Sequence, residues 1–325
     1  MIRFGLIGAG AIAHAFSTAC KGCGFTLEAV ASRSLEKAIS FQTQYGYHKA
    51  YGDYESLYLD DEVDAIYVAT PHGLHYEQML DILKYKKHIL CEKSFTLNAN
   101  QAKHIYDLAK AQGVFVMEAM WTRFLPITHD VLNVMNSGLI GIPHAMRVDF
   151  AFATPLSESS RLYNKTLGGG ALLDVGIYPI TYANLCFGIP DMIQAKASMT
   201  ETGVDGSIDI EYHYKNHQAT LHASVVVEGG KDAYIYGDKG FIKVPSFWAA
   251  EEAFVYDLDH QLIKHISIPH RVNGYEYEIE AFMKAILDES YRTPYMNVED
   301  SLDILKQMDH IRQQIGLTYP NEDLK

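Results

Sequence analysis

The sequence predicts an α/β chain in two parts: a doubly wound parallel sheet over residues 1–120, then an α/β domain on a mainly antiparallel sheet over residues 121–325. Three observations predict it. A glycine-rich turn follows the first apolar run, in "RFGLIGAGAIA". Up to about Met120, short apolar runs alternate with segments whose apolar residues recur at helical spacing, the mark of parallel strands covered on both faces by helices. From about Met192 to Ile268, strand-like runs follow one another without helices between them, which implies antiparallel pairing. A chain of 325 residues also exceeds one ordinary core.

Composition narrows the function classes. The chain is 48% hydrophobic and 21% charged, hence ordered and globular. Its net charge of -13 argues against nucleic-acid or anionic-membrane partners, which need a basic face. The N-terminus lacks the basic start and cleavage site of a signal peptide, and no run is long enough to span a membrane, so a cytoplasmic location is expected. Four cysteines in a large chain do not suggest a disulfide framework. Cys20-x-x-Cys23 has no second pair to complete a zinc site and lies at a helix end; Cys91 and Cys186 read as small buried hydrophobes.

The elements follow in order. "IRFGLIGAG" is the first strand, and Gly8, Gly10, Ala11 and Ile12 lead from it into a helix. Gly8 permits the tight turn, Gly10 lets a pyrophosphate approach the backbone, and Ala13 lets the helix pack closely on the sheet. This strand–turn–helix context makes the glycines a dinucleotide-binding signal. The next strand, "TLEAVASRS", ends in Ser32 and Arg33, with no carboxylate before Glu36 to take a ribose hydroxyl. A guanidinium flanked by hydroxyls suits a 2′-phosphate, so NADP is favoured, with NAD the alternative. "DAIYVATP" runs into Thr70, Pro71, His72 and His75 near the topological switch point, beside a bound dinucleotide. His72-x-x-His75 has no carboxylate or thiol to complete a metal site, so no metal is expected. "KHILCEKS" ends at the same edge, where Glu92 and Lys93 face the nicotinamide half of the cofactor, and "VFVMEAM" is the last run of this part.

In the second part, "PHAMRVDFAFAT" reads as a strand and "GGGALLDVGIYPITYANLCFG" as a helix opening on glycines. Asp174 and Tyr178 are four apart and share a helix face. With Lys93 they compose a site for moving a hydroxyl proton: the lysine lowers the phenol pKa from its usual value of about 10, and the aspartate orients the lysine or the substrate. Trp121, Phe150, Trp248 and Tyr275 are candidate walls of a pocket that includes Asp174 and Tyr178, since sugars and aromatic diols pack on rings. Two helices, near "YEYEIEAFMKAILDES" and "VEDSLDILKQMDHIRQQIG", close the chain, and the last is expected to pack back on the first part.

"GLIGAGAIA", "ATPHGLHYEQ", "LCEKSFTLN", "MEAMWTRFLP" and "GGGALLDVGIYPI" occur in the order seen in the glucose–fructose oxidoreductase / inositol dehydrogenase (Gfo/Idh/MocA) family, and the resemblance spans most of the chain. "MEAMWTRFLP", with tyrosine in the last motif, looks most like the dimeric dihydrodiol dehydrogenases and the NADP-dependent xylose dehydrogenases. The resemblance implies a Rossmann domain followed by an α/β domain whose open antiparallel sheet forms a homodimer interface. Lys93 matches the lysine of the family's Glu-Lys-Pro, Asp174 the aspartate after the glycines, and Tyr178 the proposed acid/base. Trp121 and Arg123 match an aromatic–basic segment near the cofactor, and Arg161 a basic residue on the loop before the glycines. Ser94 replaces the usual proline, which would stiffen the turn that aims Lys93. The implied activity is NADP-dependent dehydrogenation of a sugar, polyol or cyclic diol. The alternatives are a dinucleotide-dependent ligand sensor without turnover and a reductase of another carbonyl or tetrapyrrole substrate.

Overall fold

A computed structural model describes residues 2–157 and 160–324. The first sheet contains β1 (Arg3–Ile7), β2 (Thr26–Ala31), β3 (Lys49–Tyr51), β4 (Ala65–Val68), β5 (His88–Glu92) and β6 (Val116–Ala119), in the order β3-β2-β1-β4-β5-β6 and all parallel. The crossing from β3, at one edge, to β4, beyond β1, makes a switch point beside β1. α1 (Ala11–Cys23), α2 (Leu35–Tyr45), α3 (Tyr54–Tyr58), α4 (His72–Lys84) and α5 (Ala99–Gln112) connect the strands. β4 is buried at every residue and β1 at all but its first, as strands covered on both faces must be. Full burial of residues such as Phe4, Leu6 and Ile7 contributes about 1.5–3 kcal/mol each. The five apolar runs become six strands because Lys49–Tyr51 is only three residues long and half-buried, too short to show a period.

After α6 (Pro126–Asn136) and β7 (Pro143–Ala151) comes α7 (Ile177–Phe187), followed by β8 (Met192–Met199), β9 (Asp205–His213), β10 (Gln218–Ser224), β11 (Ala233–Gly237), β12 (Gly240–Val244), β13 (Glu252–Asp257) and β14 (Leu262–Ser267). These eight strands form one sheet, β14-β13-β12-β11-β7-β10-β9-β8, antiparallel except where β7 pairs with β10. Alternation sorts its faces: Ile235, Ile242 and Val255 point inward, while Tyr234, Phe241 and Tyr256 point outward.

α8 (Glu276–Leu287) and α9 (Val298–Ile315) then return to the first sheet. Phe282 of α8 packs on Phe4 and Phe115, at ring-centroid distances of 6.2 and 5.3 Å. α9 opens on a capping box of Asn297 and Asp300, and its Ser301 hydroxyl accepts from Tyr106 of α5 at 3.0 Å. Among the described residues no helix is long and apolar enough to cross a membrane.

Candidate active site

The glycine turn has the geometry that its sequence implies. Gly8 has φ +93°, and a Cβ there would lie 2.7 Å from the Ala69 carbonyl, so only glycine fits between β1 and β4. A Cβ at Gly10 would meet nothing within 4 Å. Gly10, Ala11 and Ile12 line the start of α1, which has no side-chain cap and no acidic residue in its first turn. An open, uncapped helix N-terminus of this kind suits a pyrophosphate. At the end of β2, Ser32 is buried and its hydroxyl accepts from the Ser34 amide at 3.3 Å, while Arg33 is exposed at the same edge. These residues fit a phosphorylated dinucleotide by the chemistry of their donors.

Thr70 and Pro71 lead into α4, with Pro71 at its N-cap. His75 is buried within the loop framework, its ring nitrogens 2.7 Å from the Thr70 carbonyl and 3.0 Å from that of Ser94. It braces two loops and presents no surface to a cofactor. His72 is also buried, with Nδ1 3.0 Å from the Gly168 carbonyl and Nε2 3.9 Å from Asp174 Oδ1. Burial, with Lys93 nearby, keeps its ring neutral.

Asp174 is the hub. Its Oδ1 lies 2.7 Å from Arg161 Nη1 and 3.6 Å from Lys93 Nζ, and Lys93 Nζ donates to the Asp174 carbonyl at 2.5 Å. Burial alone would raise this carboxyl, but Lys93 and Arg161 outweigh it and hold it well below the usual carboxylate range. Burial lowers Lys93, with Asp174 opposing. Glu92, expected to face the nicotinamide beside Lys93, instead turns to accept the Tyr67 hydroxyl. The Lys93–Ser94 peptide is cis. Where proline was expected, the buried Ser94 donates its hydroxyl to the Leu173 carbonyl at 2.8 Å and offers its own carbonyl to His75. Hydrogen bonds anchor the turn that carries Lys93.

The expected α-helical start at Asp174 is a π-helical turn, Leu172–Gly176, that runs into α7. The Leu172 amide donates to Asp205 Oδ2 at 2.6 Å. Gly170, at φ +118°, leaves room for that carboxyl, since a Cβ there would sit 2.1 Å from Asp205 Oδ1. The wide turn still puts Asp174 and Tyr178 on one side. Lys93 Nζ lies 4.8 Å from the centroid of the Tyr178 ring, over its face and not at its hydroxyl. The hydroxyl accepts from Trp121 Nε1 at 3.2 Å, and burial, followed by Glu92, pushes the phenol well above its usual pKa.

The four candidate wall aromatics form one array with Tyr178. Trp121 stacks on Tyr275 at 4.4 Å and Phe150 on Trp248 at 4.0 Å, while Phe150 meets Tyr178 at 5.4 Å. Arg123 lies elsewhere. It is buried, donates to the Tyr295 carbonyl and bonds Asp300 at 2.8 Å, so it pins the start of α9 instead of facing a cofactor. Sequence reasoning missed Asp205 and Glu278, two buried acids in unremarkable strand and helix runs. Among the described residues no cluster of His, Cys, Asp and Glu is placed to hold a metal.

With this geometry in place, comparison with known proteins is specific. Residues 2–120 match the oxidoreductase family with an NAD-binding Rossmann fold, and residues 129–243 match the GFO/IDH/MocA C-terminal domain. The chain is 33% identical over 98% of its length to a trans-1,2-dihydrobenzene-1,2-diol dehydrogenase of Xenopus tropicalis, covering 99% of that protein. It is 32% identical, with the same two coverages, to an NADP-dependent scyllo-inositol 2-dehydrogenase of Bacillus subtilis (strain 168). Among solved structures, a 3-ketoreductase of Actinomadura kijaniata in complex with NADP and TDP-benzene superposes with a TM-score of 0.88 at 25% identity, covering 97% of this chain and 98% of that one. Both domains of one family thus match, in order and with the lysine, aspartate and tyrosine converging between them: the chain belongs to the GFO/IDH/MocA oxidoreductase family.

Proposed function

We propose that the chain is an NADP-dependent dehydrogenase acting on a CH–OH group of a sugar, polyol or cyclic diol. The observation that carries this reading is the convergence of Lys93, Asp174 and Tyr178 where the carboxyl edge of the first sheet meets an aromatic array. The nicotinamide, when bound, supplies or takes the hydride. Residues around Gly8 and Gly10 hold the pyrophosphate, and Arg33 with Ser32 holds the 2′-phosphate. Thr70 and Pro71 border the dinucleotide at the switch point.

The chain's own residues move the proton. Burial keeps Tyr178 protonated at neutral pH, ready to give its proton to a carbonyl in the reductive direction. In the oxidative direction it must accept the hydroxyl proton as phenolate, and the Lys93 ammonium near its ring favours that form. Asp174, ionised, fixes Lys93 and is itself fixed by Arg161. Trp121 holds the phenol oxygen in place, and the array excludes water around it.

Residues 1–120 hold the cofactor and 121–325 the substrate. The outward face of the second sheet carries Tyr234, Tyr236, Phe241 and Tyr256 with exposed Leu258, an apolar strip that a second copy would cover, so the working form is a homodimer. Four free cysteines suit a reducing compartment, in line with a cytoplasmic enzyme. The two relatives are named for six-membered rings with adjacent hydroxyls, which supports cyclic diols and inositols as the substrates to try first. The test is absorbance at the reduced-nicotinamide band, with NADP and a panel of dihydrodiols, inositols and aldoses. Turnover on at least one vicinal diol is expected; none across the panel would contradict the proposal.

A further inference from the structure

The segment between β14 and α8 reaches from the second sheet to α1 and ends against Trp121. One side chain fixes its shape. Glu276, in the first turn of α8 and completely buried, accepts from the backbone amides of Val272 at 3.0 Å, Asn273 at 3.2 Å and Gly274 at 2.7 Å. Among the described residues it makes no ion pair, and Arg271, the nearest basic residue in sequence, bonds Glu280 at 2.6 Å. Three successive N–H groups aimed at one carboxylate form a nest that only this turn conformation can make. Burial would raise the Glu276 carboxyl, but the backbone amides outweigh it and hold it below its usual value.

The clipped turn makes contact on two sides. Toward α1, Asn273 Nδ2 donates to the Ala15 carbonyl at 2.9 Å. Val272 packs on the same helix, where a Cβ at Gly22 would lie 2.8 Å from its Cγ2. Toward the aromatic array, Gly274 has φ +94°, and a Cβ there would lie 2.7 Å from Cζ3 of Trp121. Tyr275 stacks on the same indole at 4.4 Å, and His270 meets it edge-on at 6.2 Å. The seated indole then donates from Nε1 to the Tyr178 hydroxyl at 3.2 Å. A continuous series of contacts thus runs from the Glu276 carboxylate, through the turn and Trp121, to the phenol oxygen.

We infer that Glu276 is a positioning residue for the proton transfer: by clipping residues 272–274 it holds the Trp121 indole at the Tyr178 hydroxyl and ties that contact to α1, the helix that opens at the pyrophosphate turn. The role rests on Tyr178 being the proton-exchanging group. Glu276→Gln keeps the shape of the side chain but sets its NH2 against at least one of the three donors, so the turn loosens.

Fluorescence of the protein alone tests the clip, without cofactor or substrate. The chain has two tryptophans, so in a Trp248→Phe background all indole emission comes from Trp121. That emission should move to longer wavelength and lose protection from acrylamide in Glu276→Gln, and also in Asn273→Ala, which releases α1 and leaves the carboxylate in place. Emission that Glu276→Gln leaves unchanged overturns the inference; if that variant fails to fold, Asn273→Ala decides in the same way. Kinetics test the link to Tyr178. On a diol that the wild type turns over, Glu276→Gln should lower kcat by about tenfold. The same change made in Trp121→Phe, which has already lost the indole donor, should cost little more. A wild-type kcat in Glu276→Gln overturns the inference, and so do two losses that multiply, since a merely structural Glu276 acts independently of the indole. Absent turnover on every diol, with the emission changes as described, would refute the dehydrogenase reading and leave the clip on Trp121 standing.

Discussion

Arg161, Lys93 and His72 surround one oxygen of Asp174, so the carboxylate acts as an anchor as much as a reactive group. The residue scale is also where cofactor choice is made. Arg33 is exposed at the end of β2 with no acid beside it until Glu36. Arg33→Asp should weaken NADP binding by about tenfold or more relative to NAD, because it removes a phosphate partner and adds a repelling charge. Equal weakening of both cofactors in a fluorescence titration would show that Arg33 does not read the 2′-phosphate. That Lys93, Asp174 and Tyr178 come together was legible because each sits in a motif, whereas Trp248 and Tyr275, which join the array, sit in none. Asp205 and Glu278 were not legible, because one buried acid in an alternating or amphipathic run leaves no local signal. Arg123 was misassigned for a related reason: its neighbours in sequence face the site, but its partners lie on α9.

At the scale of elements, the π-helical turn matters most. Apolar spacing in "ALLDVGIYPI" fits an α-helix equally well, and the wider turn depends on Asp205, a tertiary cap from β9 that local sequence cannot reveal. Burial raises the Asp205 carboxyl to about 7 from an unfolded value near 3.8. A group raised on folding stabilises fully below its unfolded pKa, and that contribution fades as pH rises through the folded value. Wild-type stability from this source is therefore lost between about pH 4 and about pH 7. Asp174, held low, changes the balance only under more acidic conditions and is flat across this window. Asp205→Asn keeps the acceptor for Leu172 and removes the titration. Its melting temperature relative to wild type should rise from about pH 5 to about pH 8. A constant difference in paired melting curves would show that Asp205 does not titrate there.

For the whole molecule, the two-part plan was legible because period and glycine pattern differ between the halves. The way the halves join was harder to read, since α8 and α9 are ordinary amphipathic helices whose docking surfaces lie some two hundred residues away in sequence. Hydrogen bonds from Ser301 to Glu118 and from the Ala99 amide to Asp309 tie that return. The outward-facing aromatic strip on the second sheet, half-buried but for exposed Tyr236, belongs to this scale. Light scattering should return twice the chain mass at micromolar concentration, and Phe241→Glu, which adds a charge to the strip, should return the single-chain mass. A wild type that is monomeric at every concentration would contradict the dimer.

The central claim is that Tyr178 exchanges the substrate proton with Lys93 as its partner. Steady-state turnover, NADP affinity and melting temperature measured together on Tyr178→Phe, Lys93→Met and the double variant test it most directly. Each single change should lower kcat by about 10²-fold or more, with NADP affinity and melting temperature near wild type. The double change should cost little beyond either one, as expected of residues that act as a unit. Near-normal turnover in Tyr178→Phe would contradict the claim, and so would a Lys93→Met variant that loses stability while keeping its activity per folded molecule.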